Sequence, residues 1–224
     1  MVDLSLINKK HLWYIVGFIA TDGSLSIDKR HISITSKDRS LLINIKKALN
    51  LKNKIGLKSS GSNNKKNYSN FQIGDKKFYN YLLNIGLMPN KSLKLKEIVT
   101  PDDYFVDFLR GVIDGDGNIQ QWRHNSNGNM QWVLRIVSGS PLFLPWLQKK
   151  IKRIINADGR LHISRAREKR NALYVLKYGK FAAKTILREC YYKGSLALDR
   201  KLKIAIKCIQ SKNGLSKYGK FISS

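Results

Sequence analysis

Two aspartates occupy the same setting at two places in the chain. Asp22 closes the segment Gly17-Phe18-Ile19-Ala20-Thr21-Asp22 and is followed by Gly23. Asp116 closes Gly111-Val112-Ile113-Asp114-Gly115-Asp116 and is followed by Gly117. Each segment continues an apolar run that reads as a helix, so each acid falls at a helix C-terminus. A carboxylate there faces the negative end of the helix dipole, which is unfavourable by roughly 0.3–1 kcal/mol. Two such carboxylates side by side repel further. A single Asp-Gly is an ordinary turn. A matched pair, 94 positions apart, argues instead for two acids meeting on a pseudo-twofold axis. With the carbonyls of Thr21 and Gly115 they would form an all-oxygen site suited to Mg²⁺. Hydrolysis of a phosphodiester uses a site of that kind.

The elements that must position these acids are legible around them. Gly17 and Gly111 lie inside their helices, where glycine is about 1 kcal/mol less favourable than alanine. Their repetition predicts that the two helices pack against each other through small surfaces. After Gly23 the period changes from helical to two: Leu25 and Ile27, then Ile32 and Ile34, alternate with polar residues. This predicts a hairpin turning near Lys29-Arg30. A helix at about 38–49, a second hairpin at 54–73 and a helix at 75–85 follow. The second half repeats the order: a helix at 103–114, strands at 118–124 and 130–138, and a helix at 140–155 that Pro145 delays or kinks. Strands at 159–167 and 172–178 and helices at 179–190 and 196–210 complete it. The fold class is α+β, with two αββαββα repeats spanning 1–98 and 99–224. Each four-stranded antiparallel sheet carries helices on one face and leaves the other open.

Composition sets the partner. The chain has 42 Lys and Arg against 15 Asp and Glu, a net charge of +27. Residues 1–98 carry 18 basic and 6 acidic side chains, residues 99–224 carry 24 and 9, so both halves are basic. Such a field concentrates polyanions, and nucleic acid is the expected ligand. Cys190 and Cys208 have no metal-ligand spacing, and a reducing intracellular setting is expected. No apolar run is long enough to span a membrane, and no signal peptide is expected. The four histidines lack ligand spacing, His124-Asn125 lacks the partners of an HNH site, and no Walker-type phosphate loop occurs.

The two acid-ended segments resemble the paired LAGLIDADG motifs of single-chain homing endonucleases. The resemblance covers nearly the whole chain. It implies that the motif helices form the inter-repeat interface and that the open sheets form a saddle. Base contacts in the major groove would then specify double-stranded DNA of about twenty base pairs while phosphate contacts hold it. Asp22 and Asp116 match the catalytic, metal-binding acids. The first copy has Ala20 where the second has Asp114, a position that is not the metal acid. Basic residues before the last helix of each repeat are carried over as Lys91, in Pro89-Asn90-Lys91-Ser92-Leu93, and Lys193, in Tyr192-Lys193-Gly194-Ser195-Leu196. Ser36 and Ser138 fall where the family positions water. The DNA-facing set is Ser26, Arg30, His31, Ser33, Lys58 and Gln72 in the first repeat. In the second it is Gln120, Trp122, Gln131, Arg135, His162, Arg165 and Arg167.

The activity implied is site-specific double-strand DNA cleavage by a monomer using Mg²⁺, with Mn²⁺ able to substitute and Ca²⁺ able to bind without supporting cleavage. The resemblance also implies short 3′ overhangs, an intron-encoded or mobile-element origin, and residence in a bacterial or archaeal cytoplasm or an organelle matrix. The alternatives are an RNA maturase that assists intron splicing, with intron RNA as partner, and a non-cleaving DNA-binding regulator. The intact pair of acids favours cleavage.

Overall fold

The computed structural model describes residues 2–58, 68–164 and 172–211. The first repeat runs α1 (Lys9–Asp22), β1 (Gly23–Leu25), β2 (His31–Ser36), α2 (Arg39–Ala48), β3 (Ile55–Lys58), β4 (Tyr68–Gly74) and α3 (Lys76–Asn84). The second runs α4 (Phe105–Asp116), β5 (Gly117–Arg123), β6 (Met130–Ser138), α5 (Phe143–Ile155), β7 (Arg160–Ser164), β8 (Leu173–Gly179), α6 (Lys180–Cys190) and α7 (Asp199–Gln210). Each repeat folds one antiparallel sheet, in the orders β1-β2-β4-β3 and β5-β6-β8-β7. The expected repeat order and α+β class hold. Pro145 sits in the first turn of α5, where a missing N–H breaks no intrahelical bond. Hence the helix begins at Phe143 rather than 140 and carries proline there without interruption.

The strands divide their faces as period two requires. In β2, Ile32 and Ile34 are buried while His31, Ser33 and Thr35 stand on the open side. In β6, Trp132, Leu134 and Ile136 enter the core, and Gln131, Val133, Arg135 and Val137 take the opposite face. The division is incomplete at an edge: Ile163 of β7 is on the helix side but remains 64% exposed, because β7 is an outer strand.

The helices α1 and α4 form the centre of the molecule, and nearly all their middle residues are buried. Their backbones touch. A Cβ on Gly17 would lie 2.0 Å from the Phe108 carbonyl oxygen, and one on Gly111 would lie 2.1 Å from that of Tyr14. Lower down, Thr21 fills the space beside Gly115, where a Cβ would meet its Oγ1 at 1.9 Å. The glycines therefore set the interhelical distance, as their repetition predicted. Gly17→Leu or Gly111→Leu must separate backbone from backbone. Overpacking of a core typically destabilises by about 1–3 kcal/mol, and a backbone clash belongs at or above the top of that range. Thermal melting checks this; an unchanged midpoint in both variants would remove the glycines from the interface.

Candidate active site and nucleic-acid face

The close approach brings Asp22 and Asp116 to adjoining helix ends. Both residues are exposed, as acids that meet a ligand must be. Surrounding protein nevertheless raises both carboxyl pKa values. For Asp116 burial pushes it up to about 6, helped by the charge of Asp22 and opposed by Lys91 and Lys201. For Asp22 burial raises it, with Lys201, Lys91 and Arg200 pulling the other way. Each acid thus feels both lysines, and Asp116 feels Asp22.

The lysines clamp the helix ends. Lys91, in a 3₁₀ turn at Lys91–Leu93, donates from Nζ to the carbonyls of Thr21 (3.2 Å) and Gly23 (2.5 Å). Lys201, in the first turn of α7, donates to the carbonyls of Ile113 (2.6 Å), Asp114 (2.6 Å), Gly115 (3.1 Å) and Gly117 (2.8 Å). Burial lowers the pKa of Lys91, and it lowers that of Lys201 to about 8. These ammonium groups gather carbonyls at and just beyond the helix C-termini and offset the negative end of each dipole.

The carbonyls of Thr21 and Gly115, expected to ligate metal, each accept from lysine, and a carbonyl oxygen carries a second lone pair. One sequence-derived assignment changes here. The partner of Lys91 across the pseudo-twofold is Lys201, not Lys193, which is exposed in the turn before α7. The reason lies in the turn itself. Asn90 (φ 53°) and Gly194 (φ 80°) hold the same left-handed position, which aligns Lys91 with Ser195 and Lys193 with Pro89. That left-handed pair was the available signal; sequence reading aligned the flanking Ser-Leu instead. Lys201 comes from the helix that has no long counterpart in the first repeat.

Asp114 is structural. It accepts from Tyr14 Oη (2.8 Å), Tyr191 Oη (2.6 Å) and the Leu198 amide (2.6 Å), tying α4 to α1 and to the entry of α7. Beside it Arg110 pairs with Asp107 (2.7 Å), both fully buried, and donates to the carbonyls of Cys190 and Leu196. Sequence reading missed both arrangements, because a buried ion pair has no periodic signature. Ser36 and Ser138 occupy matched strand ends. Each Oγ accepts a backbone N–H two residues on, from Asp38 and Ser140, at 3.1 Å. Ser138 also lines a cavity of about 100 Å³ with Thr21, Lys91, Ser92 and Asp116. Opposite, Arg200 reaches Asp38 at 3.3 Å.

The open sheet faces continue from this centre. On the first stand Ser33, Gln72 and Lys58, with His31 at the β2 start, its ring held by Asp28 at 2.5 Å. Ser26 and Arg30 lie in the adjoining hairpin turn, beyond the strands. On the second stand Gln120, Trp122, Gln131, Arg135 and His162, and Arg135 donates to Gln120. Arg165 and Arg167 lie outside the described residues. Among the described residues, none of the eight strands contains an acidic residue. Sequence reading omitted Asn118, Arg160 and Lys177, which the register places in one row with Arg135.

Among the described residues no cluster of three His, Cys, Asp or Glu side chains gathers. Cys190 and Cys208 are buried free thiols, and among the described residues no helix is long and apolar enough to cross a membrane.

Residues 9–87 match the family model described as a LAGLIDADG-like domain. No curated protein sequence matches. Among solved structures, the homing endonuclease I-WcaI bound to its DNA recognition sequence aligns at TM-score 0.62 and 12% identity, covering 89% of this chain and 87% of that one. I-DmoI in complex with DNA and Ca aligns at 0.55 and 16% identity over 85% and 93%; variants of it are described with target DNA in the presence of Mg and of Mn. The N-terminal LAGLIDADG domain of DUF199/WhiA aligns at 0.56 and 20% identity over 91% of each chain. Full-length DUF199/WhiA from Thermatoga maritima aligns at 0.53 and 16% identity over 89% of this chain and 60% of that one. The chain therefore has the fold of the LAGLIDADG homing endonucleases.

Because the folded pKa of Asp116 is raised, the folded protein keeps this proton in a range where the unfolded chain has lost it. The associated stability is full in acid and is lost as pH rises through about 6. Asp116→Asn should therefore melt a few degrees above the parent near pH 7.5, in metal-free buffer. The difference should close below about pH 4, where both forms are neutral. A variant that melts lower than the parent at both pH values would contradict this.

Proposed function

We propose that the protein is a site-specific double-strand DNA endonuclease. The observation that carries this reading is the pair of exposed carboxylates at touching helix ends, framed by two buried lysines and two acid-free sheets. Asp22 and Asp116 are hard oxygen ligands that fit a divalent cation whose remaining ligands would be water and phosphate. Bound there, Mg²⁺ would lower the pKa of water and stabilise the leaving oxygen. Lys91 and Lys201 hold the helix ends rigid and place positive charge beside the acids, which keeps both carboxylates available at neutral pH. Ser138 and Ser36 offer hydroxyls at the strand ends that can order water. The open faces supply direct base contacts, and the remaining surface lysines and arginines supply phosphate contacts. A single chain carries both acids, so a monomer is sufficient for two cuts, and the sheets suit a target of about two helical turns.

A second reading, a DNA-binding protein that does not cut, draws on the likeness to the DUF199/WhiA domain. The two readings part on one experiment. Asp22→Asn and Asp116→Asn should each abolish double-strand cleavage in Mg²⁺ while leaving DNA affinity within a few-fold of the parent. Near-parental double-strand cleavage by either variant would remove that acid from the chemistry. Specific binding with no cleavage by the parent in Mg²⁺ or Mn²⁺ would favour the second reading. Both readings require many phosphate contacts, so log affinity against log salt should fall with a slope of about −5 or steeper. A nearly flat slope would contradict both.

A further inference from the structure

The two open sheet faces differ chemically. On the first, the register brings Ser24, Ser33, Thr35, Asn70 and Gln72 together, and every side chain there can make hydrogen bonds. The second is built in rows. The row nearest the acids holds Val137 opposite Val175, with His162 beyond them on β7. The next row is Asn118, Arg135, Lys177 and Arg160. Leu173, 43% exposed, extends the apolar row along β8 by one position on the same face. Apolar side chains on a strand face normally turn toward a core; Val133, further along β6 on this face, is covered, whereas Val137 and Val175 are only half-buried.

We propose that Val137 and Val175 recognise the 5-methyl group of thymine in the major groove, committing the second repeat to DNA rather than RNA. This rests on the reading that the sheets face nucleic acid. Charge complementarity identifies the occupant: the valines are bordered by Arg135, Lys177 and Arg160, with no acid on any strand of the sheet, so what covers them is a polyanion with an apolar feature. In B-DNA the thymine methyl is the one apolar group that the major groove presents. RNA lacks it, and its deep, narrow major groove excludes side chains. The adjoining Arg135, whose guanidinium is already oriented by Gln120, suits the O6 and N7 acceptors of a neighbouring guanine. The half-site read by the second repeat should therefore contain thymine close to the centre, next to guanine.

The test begins with selection of bound duplexes from a randomised library. The selected second half-site is then synthesised with deoxyuridine in place of thymidine, which removes the methyl and leaves base pairing intact. Each methyl lost from the valine contact should weaken binding about fourfold, while the same replacement in the first half-site should change little. Val137→Ala and Val175→Ala should reduce the discrimination between thymine and uracil, with melting midpoints and first-half-site contacts checked alongside. The uracil comparison on the unaltered protein keeps the test independent of how the variants fold. Equal affinity for thymine and uracil duplexes, or tighter binding of the matching RNA duplex, overturns the proposal. Failure to select any sequence at all overturns the underlying nucleic-acid reading instead.

Discussion

The closeness of α1 and α4 is the constraint on which the rest depends. Gly17 and Gly111 let each backbone reach the carbonyls of the other helix, and no side chain larger than hydrogen fits at either position. Only because the axes come this near do the two C-termini end beside each other. Only then do two aspartates that sequence separates by a whole repeat share one electrostatic environment. Both sheets begin directly at Gly23 and Gly117, so the same contact also fixes where the two open faces start.

That arrangement is electrostatically unfavourable on its own. Two helix dipoles point their negative ends at two carboxylates, and burial, helped by the charge of Asp22, pushes the pKa of Asp116 up to about 6. The compensation is supplied by Lys91 and Lys201, whose ammonium groups sit on the carbonyls of the two helix ends. The Lys201 clamp is the more extensive of the two, with four carbonyls against two. The carbonyls of Thr21 and Gly115 are thus held by the lysines beside the two carboxylates. Active-site groups that destabilise the fold while serving a ligand are a common trade between stability and function.

Much of this was legible in the sequence because it depends on repetition and period. The duplicated Asp-Gly ends, the interior glycines and the period-two strands each have a local signature. The valine and arginine rows of the second sheet were half visible: alternation gives the face of Arg135 and Gln131, but cross-strand register is needed to place Val175 beside Val137 and Lys177 beside Arg135. Lys201 was hidden because its role comes from a helix start, five residues past the segment that resembles its counterpart in the first repeat. The Arg110–Asp107 pair and the three donors to Asp114 were hidden for a related reason. Long-range polar contacts follow from packing, and no spacing along the chain encodes them.

The central claim is that one molecule places two acids close enough to cut both strands of one DNA site. Incubating the protein with a randomised plasmid library in Mg²⁺, and sequencing both strands at every new end, tests it most directly. The account predicts paired cuts at a single short, constant stagger within one recurring sequence, with the same stagger at all protein concentrations. Recurring sequences that are bound but uncut, cuts confined to one strand, or a stagger that varies from site to site would contradict it.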